Sequence, residues 1–226
     1  CSWMALQFTA TVIPYFVVSW MGMPEAAWPT VALTVQSTAM VTLFVWTKVS
    51  ERWGKRAVYF MGMGLWVVAQ GGLFFMQPGQ VGLLYGLAIV AGCGVSTGYL
   101  VPWSMLPDVV DLDELNTGLR REGVFYSFMV LLQKITLAIA LAALGQGLSL
   151  AGFVQSEAGG AAAVQPESAL LVIRLVIGPI PTVLLAIGLV LAYLYPISRE
   201  IHSEILLKLR ERKRAQEQNL PTGIPD

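Results

Sequence analysis

Six apolar runs dominate this sequence, at roughly 2–22, 27–48, 57–76, 81–106, 124–150 and 169–195. A helix rises 1.5 Å per residue, so about 20 residues cross a hydrocarbon core about 30 Å thick. A helix also satisfies its own backbone in lipid, and the alternating ten-residue segments of a membrane barrel are absent. The expectation is an all-α integral membrane protein. Residues 1–196 would form a six-transmembrane-helix bundle, and 197–226 a cytoplasmic amphipathic and basic tail. With 56% hydrophobic and 12% charged residues, the net charge of zero says less than where the charges fall.

Lys48, Arg52, Lys55 and Arg56 lie in the second connection, Arg120 and Arg121 in the fourth, and Arg199, Lys208, Arg210, Arg212, Lys213 and Arg214 in the tail. The first, third and fifth connections carry only Glu25, Glu157 and Glu167 as ionisable residues. Twelve of the 14 basic residues therefore share one side, which the positive-inside rule places in the cytoplasm together with the C-terminus. The expected location is a cell membrane, inner or plasma, crossed several times. The chain starts with Cys1, directly on a span, without a basic leader or cleavage site, and reads as the C-terminal part of something longer.

The segment "MLPDVVDLDELNTGLRREGVFYS", residues 105–127, concentrates Asp108, Asp111, Asp113, Glu114, Arg120, Arg121 and Glu122. Its position makes it a cytoplasmic loop, and its plainest role is a solvated turn whose basic pair helps fix topology. The preceding "GCGVSTGYLVPW" has Gly92, Gly94 and Gly98, which let a neighbouring helix approach closely, and Ser96 and Thr97, which can hydrogen-bond across. Pro102 and Pro107 remove backbone donors and predict a bent or ended helix there.

The fifth span carries Lys134 about eleven residues from its cytoplasmic end, which is about 16 Å along the axis and near the bilayer midplane. A lysine there costs about 3 kcal/mol or more on insertion, so it should face a polar cavity, a carboxylate or a ligand. Ser127 and Lys134 lie on one stripe, with Tyr126 and Gln133 on a parallel one about 100° round the helix, together a polar wall. No acidic residue of the six spans is deep enough to be an obvious partner. Arg174, about five residues into the last span, can snorkel outward or pair near Glu167. In "REIHSEILLKLRERKR", Ile201, Ile205, Leu206 and Leu209 predict a helix lying along the membrane surface, and His202 is assigned no chemistry.

G-x-S-x-G, H-E-x-x-H and Walker A motifs are absent, so the chain is not expected to be an enzyme. Cys1 and Cys93 have no metal-ligand or disulfide-framework spacing, and no metal site or cofactor is expected. The basic tail is accounted for by topology and anionic lipid, leaving no reason to invoke nucleic acid.

"GCGVSTGYLVPWSMLPDVVDLDELNTGLRREGVFYSFMVLLQK" resembles the tenth helix, following loop and eleventh helix of the glycoside-pentoside-hexuronide:cation symporters, melibiose-permease relatives within the major facilitator superfamily. "SERWGKR" is similar to the superfamily's loop between the eighth and ninth helices, and "YPISREIHSEILLKLRERKR" resembles the family's exit from the twelfth. The resemblance implies the C-terminal half of a twelve-helix carrier, with an N-terminal six-helix half as its partner. The implied function is symport of a sugar or glycoside coupled to sodium or protons. It also implies a role for Lys134 in coupled cation and sugar binding, with Val130 and Gln133 as neighbouring site positions. Val130 departs from melibiose permease, which has a hydroxyl one turn before the lysine. A similar "PWSMLPD" and helix-eleven lysine in the animal lysophospholipid carriers keep a lipid or other amphiphile open as substrate. A non-transporting receptor or assembly factor on the same scaffold is a third reading, against which a midplane lysine argues.

An alternating-access carrier needs contacts that break repeatedly, and exposed ion pairs worth about 0–1 kcal/mol suit that. Asp108, Asp111, Glu114, Arg120, Arg121 and Glu122 are accordingly expected as cytoplasmic latch elements, with Arg52, Lys55 and Arg56 as the second set.

Overall fold

The computed structural model describes residues 1–155, 163–194 and 199–218, without the side chains of 199, 200, 202 and 213–218. The regular elements among the described residues are helices, and six helical stretches are long and apolar enough to cross a membrane. In chain order the helices are α1 (Ser2–Tyr15), α2 (Ala27–Trp53), α3 (Lys55–Phe75), α4 (Val81–Thr117), α5 (Glu122–Leu150), α6 (Glu167–Ile177), α7 (Pro179–Leu194) and α8 (Arg199–Gln218). Residues 156–162 of the Gly/Ala-rich connection after α5 lie outside the described residues.

Proline chemistry explains the irregularities. Pro14 removes a bond from α1, which continues as a widened π turn over Phe16–Trp20. The sixth span is two helices, α6 and α7, broken where Gly178 meets Pro179. Ile177 would ordinarily accept from the residue four places on, but that residue is Pro181. The buried Gln70 of α3 supplies the donor instead: with its amide oxygen accepting from Thr9 and Trp66, its NH2 donates to the Ile177 carbonyl at 2.7 Å.

Of the bent or ended helix expected at Pro102 and Pro107, the ended alternative is not what α4 adopts. The helix runs through Pro102 and Pro107 to Thr117, so most of the supposed loop is helix and only residues 118–121 connect α4 to α5. Lys55 Nζ donates to the Ser104 carbonyl at 2.7 Å, and Ser104 Oγ to Val101, bringing polar partners to the stretch between the prolines. "SERWGKR" is likewise nearly all helix, broken only by Gly54 at φ 88°.

Packing centres on α4. A Cβ on Gly92 would lie 2.6 Å from the Val35 carbonyl of α2, and one on Gly94 2.5 Å from Trp66 Cβ of α3, so these glycines set the helix separations. Gly98 has no such role, since an added Cβ would meet only Met63 and Trp66 side chains at 3.4 Å. Thr42 donates to Ser96 across α2 and α4 at 3.0 Å, while Thr97 bonds back to Gly94 of its own helix. One core cluster, including Phe16, Leu84, Leu144 and Ile177, fills the base-poor half. A second, including Val58, Met63, Trp66 and Leu185, fills the basic half.

The tail helix α8 also departs from expectation. Its Ile205 and Leu209 are buried, and α8 packs against α4. Arg212 donates to the Leu115 carbonyl in the last turn of α4, where a cation is favoured by the helix dipole. The apolar stripe read as membrane-facing thus covers protein at these two positions.

Candidate transport site

The polar wall expected on α5 is divided between two faces. Ser127, Val130 and Lys134 are exposed on one side of the helix, whereas Tyr126 and Gln133 are half-buried. Tyr126 sits with its ring 6.1 Å from Trp103 of α4, and Gln133 Nε2 is buried without a hydrogen-bond partner among the described residues. Only Ala140, Leu144 and Leu148 of α5 are buried, all towards the base-poor end. The half of α5 that carries Lys134 is therefore covered on one side only, and Lys134 makes no ion pair among the described residues.

The expected latch residues fall into separate clusters. Lys55, at the start of α3, reaches both oxygens of the buried Asp108 on α4, at 2.8 and 3.0 Å. Arg120 gathers Glu114 at 2.7 Å and Asp111 at 3.5 Å, and its Nε donates to Glu122 at 2.8 Å. Arg121 forms a two-pronged pair with Asp113 at 2.6 and 3.0 Å. Hydrogen bonds to Glu122 and Glu114 push Arg120 above the usual guanidinium pKa, and the bond to Asp113 does the same for Arg121. Asp113 was not expected as a latch member; its partner lies eight residues away, outside helical periodicity. Arg56 donates to the Tyr193 carbonyl and lies over that ring, 5.0 Å from its centre, while Arg52 sits in the last turn of α2.

Arg174 neither snorkels outward nor pairs with Glu167. Its guanidinium lies between the rings of Trp20 and Phe74, at 4.7 and 5.0 Å, and donates to the Phe74 carbonyl at 3.0 Å. That carbonyl lies in the last turn of α3, four residues before Pro78, so no helical donor is available. Arg174 is a capping cation built into the base-poor end.

A cavity of about 350 Å³ lies between α1, α2 and α4. It extends along α1 from Trp3 to Val17, fourteen residues or about 21 Å of helix axis. Its walls are mainly aliphatic and aromatic; Gln7, Thr9 and Gln36 are the exceptions. Thr9 is committed, its hydroxyl donating to the Gln70 amide oxygen at 2.6 Å. The Trp3 indole N–H is a buried donor without a partner among the described residues, and its ring meets Tyr99 edge-on at 5.2 Å. None of these residues was singled out from the sequence. Gln7 and Gln36, amides inside apolar spans, carried the same signal that drew attention to Gln133.

Residues 1–199 match the family model described as MFS/sugar transport protein. The chain belongs to that family. It is 53% identical over 213 residues to an uncharacterized symporter, sll1374, of Synechocystis sp., covering 94% of this chain and 39% of that protein. To the sodium-dependent lysophosphatidylcholine symporter 1-A of Danio rerio it is 32% identical over 200 residues, 87% of this chain and 36% of the relative. To the sphingosine-1-phosphate transporter MFSD2B of Xenopus tropicalis it is 28% identical over 179 residues, 78% and 34% of the two chains. The chain thus spans well under half the length of these relatives. Family and helices together make it a multi-pass membrane protein with the architecture of a six-helix major facilitator half.

Proposed function

We propose that the complete protein is a cation-coupled symporter working by alternating access, that this chain is its C-terminal half, and that its substrate is an amphiphile with an apolar chain. The slot between α1, α2 and α4 carries the substrate reading. It is long, and its length is lined by groups such as Leu6, Ile13, Phe16, Val31, Val35 and Leu84. A sugar brings several hydroxyls, each costing about 1–3 kcal/mol if buried unpaired. Against them this wall offers two amides, the indoles of Trp3 and Trp28 and a phenol, spread over two helical turns or more, while the Trp66 N–H and the Thr9 hydroxyl are turned to Gln70. An acyl or alkyl chain matches the slot in shape and polarity, and the relatives named for lysophosphatidylcholine and sphingosine-1-phosphate point the same way. Sugar transport keeps the support of the family's description and remains the second reading.

The bareness of two helices supports a missing half. On α2 only Val31 and Ala39 are buried, and Leu33, Met40, Val41 and Phe44 are exposed; α5 is similar. A second six-helix unit would cover both faces and enclose Lys134. There the ammonium would compete with the coupling cation, sodium or a proton, for acidic groups of that half. The Lys55–Asp108 pair and the Arg120 and Arg121 clusters would close the end that the positive-inside rule assigns to the cytoplasm, where the C-terminus would also lie.

The test is uptake by proteoliposomes containing the intact protein, with lysophosphatidylcholine and a glycoside offered separately, with and without a sodium gradient. Gradient-dependent accumulation of the lipid and not the glycoside is expected. The reverse pattern would establish the sugar reading.

A further inference from the structure

At the base-poor end a second cavity, of about 640 Å³, opens between the end of α1, the start of α2 and the end of α5. Its wall includes Tyr15, Ser19, Glu25, Trp28, Ser149 and Phe153, with Tyr15 and Phe153 meeting edge-on at 5.4 Å. No Lys or Arg lines it. Arg174, the basic residue of α6, is held between Trp20 and Phe74 with its guanidinium on the Phe74 carbonyl. The vestibule thus combines three aromatic rings with one carboxylate.

The geometry points to this vestibule as a binding site for a quaternary ammonium group, held by the faces of Trp28 and Tyr15 and the charge of Glu25. Aromatic rings attract a cation through their quadrupole, most strongly when the cation sheds water easily, as a methylated ammonium does. A bare metal ion would need six or so oxygen ligands converging at short range. The wall offers one carboxylate and scattered hydroxyls around a space many times larger than such an ion. Trp28 lines both this vestibule and the apolar slot, so one molecule can lie across the two, its ammonium head against Glu25 and its chain along α1. This last step rests on the amphiphile reading above; the ammonium site itself does not.

The experiment uses the intact carrier with Cys1→Ser, Cys93→Ser and Ser149→Cys, and tetramethylammonium as the probe. The rate at which a membrane-impermeant thiol reagent modifies the new cysteine is measured. Tetramethylammonium should slow it about tenfold, equimolar sodium should not, and Glu25→Gln or Trp28→Leu should each remove the protection. Trp28→Phe, which keeps a ring, should retain part of it. Without the reporter, Glu25→Gln should raise KM for lysophosphatidylcholine about tenfold while changing KM for a lysophosphatidic acid of the same chain less than twofold. Absence of protection, or equal protection in Glu25→Gln, would overturn the site, as would equal weakening of both lipids. Protection that depends on Glu25 and Trp28, in a carrier that transports neither lipid, would keep the site, make a free amine its ligand and remove the amphiphile reading.

Discussion

Helices α4 and α5 follow one another in the chain, are both strongly apolar, and have opposite fates. Twelve residues of α4 are buried, from Leu84 to Val110, against three of α5. The difference is one of shape. In lipid, apolar surface gains little by leaving its surroundings, so helices associate where small residues let backbones meet and polar groups find partners. α4 has Gly92 and Gly94 against its neighbours and Asp108 clamped by Lys55; the basic half of α5 presents Val124, Phe128 and Leu131 to the outside. One helix is a fixed spine, and the other is left largely bare.

The largest effect should come from filling the spine. Gly94→Val places new carbons within 3 Å of Trp66 and the Gly62 carbonyl, and backbone cannot yield as a flexible side chain can. The expected cost is about 3 kcal/mol or more, seen as loss of monodisperse protein in detergent. Gly145→Val in α5, with nothing within 4 Å, should leave yield and melting unchanged. Comparable losses for both would break the contrast.

Lys134→Ala tests the free helix by function. It removes an exposed charge and no core packing, so melting should be unaffected while gradient-driven accumulation by the intact carrier is abolished. Lys134→Arg should restore it only partly, since a planar fork does not replace a compact ammonium. Wild-type accumulation by the alanine variant at matched expression would reduce Lys134 to a bystander.

Gln70→Leu is a smaller, structural probe. It strips the donor from Ile177 at the α6–α7 break and should cost about 1–3 kcal/mol, read as a lowered melting temperature. An unchanged melting temperature would mean that the break does not depend on Gln70. The smallest effects belong to the ionic clusters. Arg121→Ala should cost under about 1 kcal/mol because its pair with Asp113 is exposed. Asp108→Asn should cost more than Arg121→Ala, since Asp108 is buried and Lys55 would keep its charge. In the intact carrier both should shift cysteine accessibility between the two sides more than substrate affinity; unchanged accessibility would argue against a latch.

The sequence by itself determined the six spans and the basic-to-bare asymmetry, because hydrocarbon thickness and charge insertion cost act on local composition. It also marked Lys134, since a midplane charge is costly wherever the helix happens to face, and Gly92 and Gly94 as sites of close approach. It misplaced the ends of α2 and α4, because proline and charge ordinarily end a helix, whereas α4 runs through both prolines and its charged stretch finds a tertiary partner in Lys55 on Asp108. Tertiary structure alone decided that Gln133 turns inward and Lys134 does not. It also decided that Arg174 caps α3, that Asp113 takes Arg121, and that Trp3, Gln7 and Gln36 share one slot. Each of these depends on which faces of separate helices meet. The spacing along one helix says which residues share a face, but not what that face will find opposite.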